Sequence, residues 1–120
     1  MEELKLCESD YRFMTVVWDN QPLPSGKLVE LCAQKLGWKK STTYTVLKKL
    51  CEKGIAQNTE STVTALVPRQ QVQAYASEHF VEQTFAGSLP GFLAAFLGGK
   101  TISEGEAAQL KALIDKHREG

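Results

Sequence analysis

The segment from Trp38 to Gly54 carries the side chains that are best suited to contact a polyanion. Four polar residues in it fall at i, i+3, i+4 and i+7, which places them on one face of a helix: Ser41, Tyr44, Thr45 and Lys48. Hydroxyl, phenol and ammonium groups hydrogen-bond base edges and phosphate oxygens, and threonine methyl groups can touch thymine methyl groups. The spacing therefore predicts a helix face that reads double-stranded DNA.

The opposite face of this segment is apolar. Its inward residues repeat at the same helical spacing: Thr43, Val46, Leu47 and Leu50. A solvated amphipathic helix is the alternative interpretation, but surface helices usually mix both charges. Here no acidic residue of the segment precedes Glu52, and Lys39 and Lys40 stand where they can hold phosphate. We interpret residues 40–53 as a recognition helix, with Gly54 as its expected left-handed C-terminal cap.

Charge is distributed unevenly along the chain, although the net charge is zero. From Lys27 to Lys53 there are seven Lys and two Glu, a net charge of +5, so the rest of the chain carries −5. A basic segment in an otherwise acidic protein is typical of a compact DNA-binding surface, and chance clustering is the alternative. The sequence offers no Ser/His/Asp set, no paired catalytic carboxylates and no Gly-rich phosphate loop, so we do not expect an enzyme.

The cysteines and the N-terminal segment argue against several other classes of protein. Cys7, Cys32 and Cys51 are far apart, and no CxxC motif or Cys/His pair has the spacing of a zinc site. We expect reduced, mostly buried thiols and no metal or cofactor; a redox or metal-sensing role is the less favoured alternative. The chain lacks an apolar run of 18 residues and the apolar core of a signal peptide, which predicts a cytoplasmic protein without membrane insertion.

Three short helices are expected to position the recognition face. Ser9 is predicted to cap the first helix, which runs to about Asp19. A second helix is predicted from Pro24 or Ser25 through Leu36, with Gly37 ending it, and the recognition helix follows a tight turn. Three helices of which the last is basic make a helix-turn-helix arrangement.

A β-hairpin is predicted directly after these helices. Residues 55–59 and 63–67 are short and β-prone, and a polar turn over residues 60–62 separates them. We interpret the hairpin as the wing of a winged helix. Its tip has no Lys or Arg, so we expect only weak phosphate contact there. The predicted fold class is mainly α with a small β-hairpin wing: a winged helix-turn-helix head over residues 1–70 and a helical dimerisation region over residues 71–120.

The tail of the chain has more apolar side chains than three short helices can bury. A helix is predicted over residues 69–86, with His79 as a half-buried histidine rather than a metal ligand, then a strongly apolar short helix. Ser103 and Glu106 form a capping box for a last helix with Ala107, Leu110, Leu113 and Ile114 inward. Pairing with a second copy is favoured over folding back on the head. The candidate dimer contacts are Phe85, Leu89, Phe92, Leu93, Phe96, Leu97, Leu110 and Leu113.

The run Thr42-Thr43-Tyr44-Thr45-Val46-Leu47-Lys48-Lys49-Leu50, followed by residues 52–55, resembles the recognition-helix signature of the penicillinase repressor family. This family includes the β-lactamase and methicillin-resistance repressors. The resemblance extends to residues 62–67, 85–89 and 103–106. It implies a winged-helix domain, a helical dimerisation region and repression by binding operator dyads. It also implies DNA contacts by Ser41, Thr42, Tyr44 and Thr45.

The resemblance has further implications for DNA contact and for control. Lys49 replaces the arginine that is common at its position in the family, a change that is expected to alter a DNA-backbone contact rather than to abolish binding. The predicted DNA-contacting lysines are therefore Lys39, Lys40, Lys48 and Lys49. A membrane sensor and protease system controls induction in antibiotic-sensing members, commonly through cleavage of an Asn-Phe bond. This chain has Ala95-Phe96 at that place, which leaves its use of that route open. Copper-responsive relatives end in a cysteine-rich motif, but no cysteine follows Cys51 here, so copper sensing is not expected.

Two hypotheses from different classes follow. The first is a dimeric transcriptional repressor that binds a pseudo-palindromic operator through residues 40–53. The second is a winged-helix module that binds protein without specific DNA binding. The lysine-rich outer face favours the first, and salt dependence separates them, because DNA binding weakens steeply as salt rises.

Overall fold

The computed structural model describes residues 4–119, which form two compact units, the first up to Phe80 and the second from Val81. The elements in chain order are α1 (Glu8–Asn20), β1 (Leu23–Pro24), α2 (Ser25–Leu36), α3 (Lys40–Glu52), β2 (Ala56–Thr59), β3 (Thr62–Ala65), α4 (Arg69–Phe85), α5 (Leu89–Leu97) and α6 (Glu104–His117). This mainly helical chain with a small antiparallel sheet confirms the predicted fold class, a winged helix with further helices after it. None of the described helices is long and apolar enough to cross a bilayer.

The core of the first unit lies where α1, α2 and α3 meet the sheet. Its largest fully buried apolar side chains come from all of these elements: Phe13, Met14, Val17, Leu28, Leu50, Ile55 and Val63. Phe13 also stacks on the half-buried ring of Trp38, with centroids 6.0 Å apart. Because each helix contributes one apolar stripe to this core, the core fixes which face of each helix is left for solvent.

α3 has the predicted inward stripe. Thr43, Leu47 and Leu50 are buried and Val46 is half-buried. The helix ends at Glu52, one residue earlier than expected, and Gly54 has the left-handed φ of +80° that the C-terminal cap required.

The wing is a three-stranded antiparallel sheet in the order β1-β3-β2. The predicted hairpin is present, with Asn58 opposite Val63 and Thr59 opposite Thr62. No pattern in the sequence predicted β1, whose Leu23 lies opposite Val63. Two residues are too few for an alternating pattern, and Pro24 is tolerated because β1 is an edge strand.

The predicted start of α1 is wrong. Cys7, not Ser9, occupies the N-cap position, and Ser9 lies inside the helix. The acidic residues Glu8 and Asp10 therefore fall in the first turn, where a helix macrodipole favours negative charge. The cap predicted for the last helix is confirmed, since the Ser103 hydroxyl accepts a hydrogen bond from the Glu106 amide at 3.1 Å.

The second unit buries no side chain completely among its described residues. Phe92 contacts the rings of Phe85 and Phe96, with centroids 5.6 and 5.9 Å away. The inward orientation predicted for Leu113 and Ile114 is wrong for the single chain, because both side chains are more than half exposed. Helical spacing shows that side chains share a stripe, but it does not show what covers that stripe.

The compact units and the predicted functional regions divide the chain at different places. The boundary between a DNA-binding domain and a dimerisation region was placed at residue 70, which is in the first turn of α4. The compact units divide between Phe80 and Val81, and Val72 is fully buried in the first unit. The two functional regions stay predictions, and the first turns of α4 belong structurally to the head.

The three thiols differ in environment. Cys32 is buried and Cys51 is half-buried, whereas Cys7 is exposed, so the expectation of mostly buried thiols is wrong for Cys7. Burial raises the pKa of Cys32 above its ordinary value, although a hydrogen bond with Thr43 acts in the opposite direction. Burial likewise raises the pKa of Cys51. Both thiols therefore stay protonated at neutral pH, and thiols in that form are poor nucleophiles.

Leu50→Ala tests the rotational phase of α3. Leu50 is 0% exposed, so the substitution leaves a cavity in the core and should lower the free energy of unfolding by roughly 2–5 kcal/mol. Thr45→Ala, on the exposed face of the same helix, is the control and should leave the stability nearly unchanged. Chemical unfolding followed by circular dichroism measures both, and equal stabilities for the two variants would contradict the phase.

Labelling with a thiol reagent tests the assigned thiol environments. In the folded chain at neutral pH, Cys7 should react rapidly, while Cys32 and Cys51 should react slowly because they are shielded and protonated. All three thiols should react at similar rates in denaturant. The raised pKa values also predict a stability contribution that is complete below the unfolded thiol pKa and is lost as pH rises through the higher folded values. Rapid labelling of Cys32 in the folded chain would contradict this assignment.

Candidate nucleic-acid interface

The outer face of α3 gathers the predicted base-reading residues on one exposed surface. Ser41, Tyr44, Thr45 and Lys48 are all exposed, as is the neighbouring Thr42. The buried stripe on the reverse side holds this face outward. The helix therefore has one side for packing and another that is free for a ligand.

The N-terminal end of α3 is electropositive. Lys39 occupies the N-cap position, Lys40 is the first helical residue, and no acidic residue lies in the first turn. The amide groups of a first helical turn carry partial positive charge, which adds to that of the ammonium groups. Within residues 4–119, neither these lysines nor Lys48 forms an ion pair, so their charges are available to phosphate.

The hydroxyl groups on the outer face are held by local hydrogen bonds. The Thr45 hydroxyl donates to the carbonyl of Ser41 at 2.9 Å, which fixes its rotamer and leaves its oxygen able to accept. The Tyr44 hydroxyl donates to the Ser25 hydroxyl oxygen at 3.3 Å, a long hydrogen bond that a stronger partner can replace. Tyr44 is therefore oriented without being fixed.

Ser25 is a buried residue of the candidate interface that sequence analysis did not identify. Besides accepting from Tyr44, it donates its backbone amide to the Ser61 carbonyl at 2.8 Å. Ser61 belongs to the wing turn, so Ser25 joins the start of α2, the recognition helix and the wing. Its position directly after Pro24 was the available signal, but that signal predicted only a helix start.

The wing turn offers no positive charge. Glu60 and Ser61 have φ values of 51° and 63°, the left-handed pair of a type I′ turn, for which Asn-Gly is the favoured sequence. Glu60 is the only charged residue in the segment from Gly54 to Pro68. The wing tip therefore brings a carboxylate where many DNA-binding surfaces have a cation, and weak phosphate contact there stays a prediction.

Lys49 differs from the other predicted DNA-contacting lysines because it has an ion-pair partner. Its ammonium nitrogen is 2.8 Å from Oδ1 of Asp10 in α1, and the Asp10 side chain is only 5% exposed. The adjacent Asp10 carboxylate raises the pKa of Lys49, against a smaller opposing effect of burial. Apart from this ion pair, Asp10 Oδ1 has no polar partner in the described residues. Helical spacing puts Lys48 but not Lys49 on the predicted four-residue outer face, and the family resemblance adds Lys49 to the predicted DNA contacts.

The predicted dimer contacts lie at the end of α4 and in the two helices after it. Leu89, Phe96 and Leu113 are more than half exposed. The other five are half-buried: Phe85, Phe92, Leu93, Leu97 and Leu110. Phe96 also has the Lys100 ammonium 4.4 Å above its ring. The Ala95-Phe96 bond lies inside α5, in regular helix.

His79 and the cysteines do not form a metal site in the described part of the chain. No group of three or more His, Cys, Asp or Glu residues there could hold a metal ion. His79 is half-buried, as expected, and its ring stacks on Tyr75 with centroids 5.6 Å apart.

Comparison with known proteins identifies the family of this chain. The family model described as "Penicillinase repressor" matches residues 6–116, nearly the whole chain. The chain is also similar to a 16.5 kDa protein from the ptsI 3′ region of Latilactobacillus sakei, whose name assigns it no function. The two are 25% identical over 114 residues, which cover 92% of this chain and 78% of that protein. This chain therefore belongs to the penicillinase repressor family, whose members are regulators of transcription that bind DNA and dimerise.

Proposed function

We propose that this protein is a dimeric transcriptional repressor that binds a pseudo-palindromic operator in double-stranded DNA, with α3 in the major groove. The observation that carries the proposal is the two-sided character of α3, with a buried stripe on one side and exposed hydroxyl, phenol and ammonium groups on the other. Membership of the penicillinase repressor family supports it. An α-helix of this size fits the major groove, where the pattern of donors and acceptors distinguishes every base pair.

Within this proposal the residues of the outer face have two kinds of role. Ser41, Thr42, Tyr44 and Thr45 read base edges, since hydroxyl groups both donate and accept hydrogen bonds and a threonine methyl packs on thymine. Lys39, Lys40 and Lys48 hold phosphates and set the register of the helix along the groove. The Tyr44 hydroxyl exchanges its long bond to Ser25 for a base or phosphate partner.

The tail supplies the second half of the proposal. A single head contacts few base pairs, and joining two heads makes the second contact effectively intramolecular. The exposed apolar side chains of α5 and α6, above all Leu89, Phe96 and Leu113, are suited to pairing with a second copy. A two-fold pair of heads matches a two-fold operator. Repression then follows from occupancy of a site that overlaps a promoter.

Footprinting tests the existence of an operator. The full chain should protect a site with two similar half-sites in the DNA upstream of its own gene or of a neighbouring gene, with centres about one helical turn, or a multiple of it, apart. A scrambled duplex of equal length and composition is the control. Binding that shows no sequence preference would contradict the operator and favour the protein-binding alternative.

The double substitution Tyr44→Ala/Thr45→Ala tests base reading. It should lower the free energy of binding to the footprinted site by roughly 1–3 kcal/mol per lost base contact, while binding to the scrambled duplex changes little. Gln70 is an exposed polar residue of α4, and Gln70→Ala is the matched control. Fluorescence anisotropy titration measures both, and unchanged operator affinity in the double variant would show that this face does not read DNA.

Leu113→Glu in the full chain tests the dimer. It places a carboxylate on the proposed contact surface and should give a monomer whose operator affinity is lower by about a hundredfold. Leu66→Glu is a closely matched control, since both leucines are 53% exposed and Leu66 lies in the head. Sedimentation velocity and an operator titration provide the readouts. A Leu113→Glu chain that is still dimeric would remove this part of the surface from the dimer.

A further inference from the structure

Two lysines near the C-terminal end of α3 tie it to the segment that begins α1. The Lys49 ammonium is 2.8 Å from Oδ1 of Asp10, and the Lys53 ammonium donates to the carbonyl of Lys5 at 2.9 Å. Neither of these contacts involves a side chain to which the proposed function assigns base reading or phosphate contact. Both are polar, whereas the buried stripe of α3 packs through Leu47 and Leu50.

The difference between polar and apolar contacts matters for the rotation of a helix. Hydrophobic burial is non-directional, so a helix that is held by leucines alone can rotate or slide slightly at low cost. An ion pair with a buried carboxylate depends on the distance between the two groups, and a displacement that separates them leaves a buried charge without compensation. Asp10 depends on the ion pair more than Lys49 does, because Asp10 is only 3% exposed and Lys49 is the sole polar partner of its Oδ1 among the described residues.

We infer that Asp10 and Lys49 are positioning residues for DNA reading: their ion pair sets the rotation of α3 on α1, and Lys49 itself does not contact DNA. The inference rests on the proposed function, in which the outer face of α3 reads base edges. Successive helical residues are rotated by about 100°, so the direction that Lys49 takes toward Asp10 is far from that of Lys48. When the direction of Lys49 is fixed, the direction of Lys48 is therefore fixed as well.

The ion pair also changes the number of charges that reach phosphate. The ammonium of Lys49 compensates the carboxylate of Asp10, so the pair adds no positive charge to the interface. Lys39, Lys40 and Lys48 have no ion pair within residues 4–119 and supply the charge instead. The slope of log affinity against log salt concentration counts neutralised phosphates, at about 0.9 per phosphate. That slope therefore separates a lysine that contacts phosphate from one that orients the helix.

The experiment compares Lys49→Met with Lys48→Met in the full chain. Each variant is titrated with the footprinted duplex and the scrambled duplex over a range of salt concentrations. Lys48→Met should reduce the salt slope by about 0.9 per protomer and weaken binding to both duplexes. Lys49→Met should leave the slope unchanged and lower the ratio of operator to scrambled affinity by about tenfold, the scale of one misplaced base contact.

A second variant removes the buried charge that Lys49→Met leaves behind. Asp10→Asn/Lys49→Met has no uncompensated carboxylate, so it should melt at a higher temperature than Lys49→Met. It should show the same lowered ratio and the same slope, since the orienting bond is still absent. Lys49→Arg keeps a cation that can reach Asp10 and should restore most of the discrimination. All titrations are made well below the melting temperature of each variant.

The possible results separate the inference from the proposed function. A wild-type chain that binds neither duplex in a salt-dependent way removes the proposed function, and the inference with it. Wild-type discrimination together with a reduced slope for Lys49→Met would show that Lys49 contacts phosphate, which overturns the inference alone. The same holds if Lys49→Met and the double variant melt differently from the wild type but keep its discrimination, because the pair is then only structural.

Discussion

The structure depends on one constraint on α3: the helix must bury one stripe and leave the adjacent one bare. Thr43, Leu47 and Leu50 meet this constraint by entering the core, where α1, α2 and the sheet surround them. The side chains on the opposite face of α3 are then exposed because the buried stripe faces the core. The candidate interface is in this sense a consequence of the packing, because the core of the head holds α3 at one rotation.

Polar contacts restrict the small rotations of α3 that apolar packing alone would allow. The Asp10–Lys49 ion pair holds α3 on α1, and Ser25 connects Tyr44 to the wing turn through its hydroxyl and its amide. These contacts lie on different sides of the recognition helix. The carboxylate of Glu60 at the wing tip adds a repulsive element, so the positive charge of the interface is concentrated at the start of α3 and at Lys48. In the proposed complex, such a concentration would favour one orientation of the head on DNA over sliding contact with any phosphate.

Apart from the N-cap of α1, the sequence predicted features that depend on local periodicity and did not predict those that depend on tertiary contacts. The stripe of α3 and the caps at Gly54 and Ser103 follow from neighbours within one or two turns, so helical spacing was sufficient. The partnership of residues 10 and 49 requires two distant segments to meet, and Asp10 gave no sign that it would be buried. β1 was missed because two residues cannot show alternation. The exposure of Leu113 and Ile114 was missed because periodicity identifies a stripe and not its cover.

The most direct test of the central claim is the salt dependence of wild-type binding to the footprinted operator. If two heads each place Lys39, Lys40 and Lys48 on phosphates, about six contacts should give a slope of log affinity against log salt concentration of about −5. The scrambled duplex should bind more weakly, with a similar or smaller slope. A slope near zero, or equal affinity for the two duplexes, would contradict the account of α3 as a helix that reads DNA.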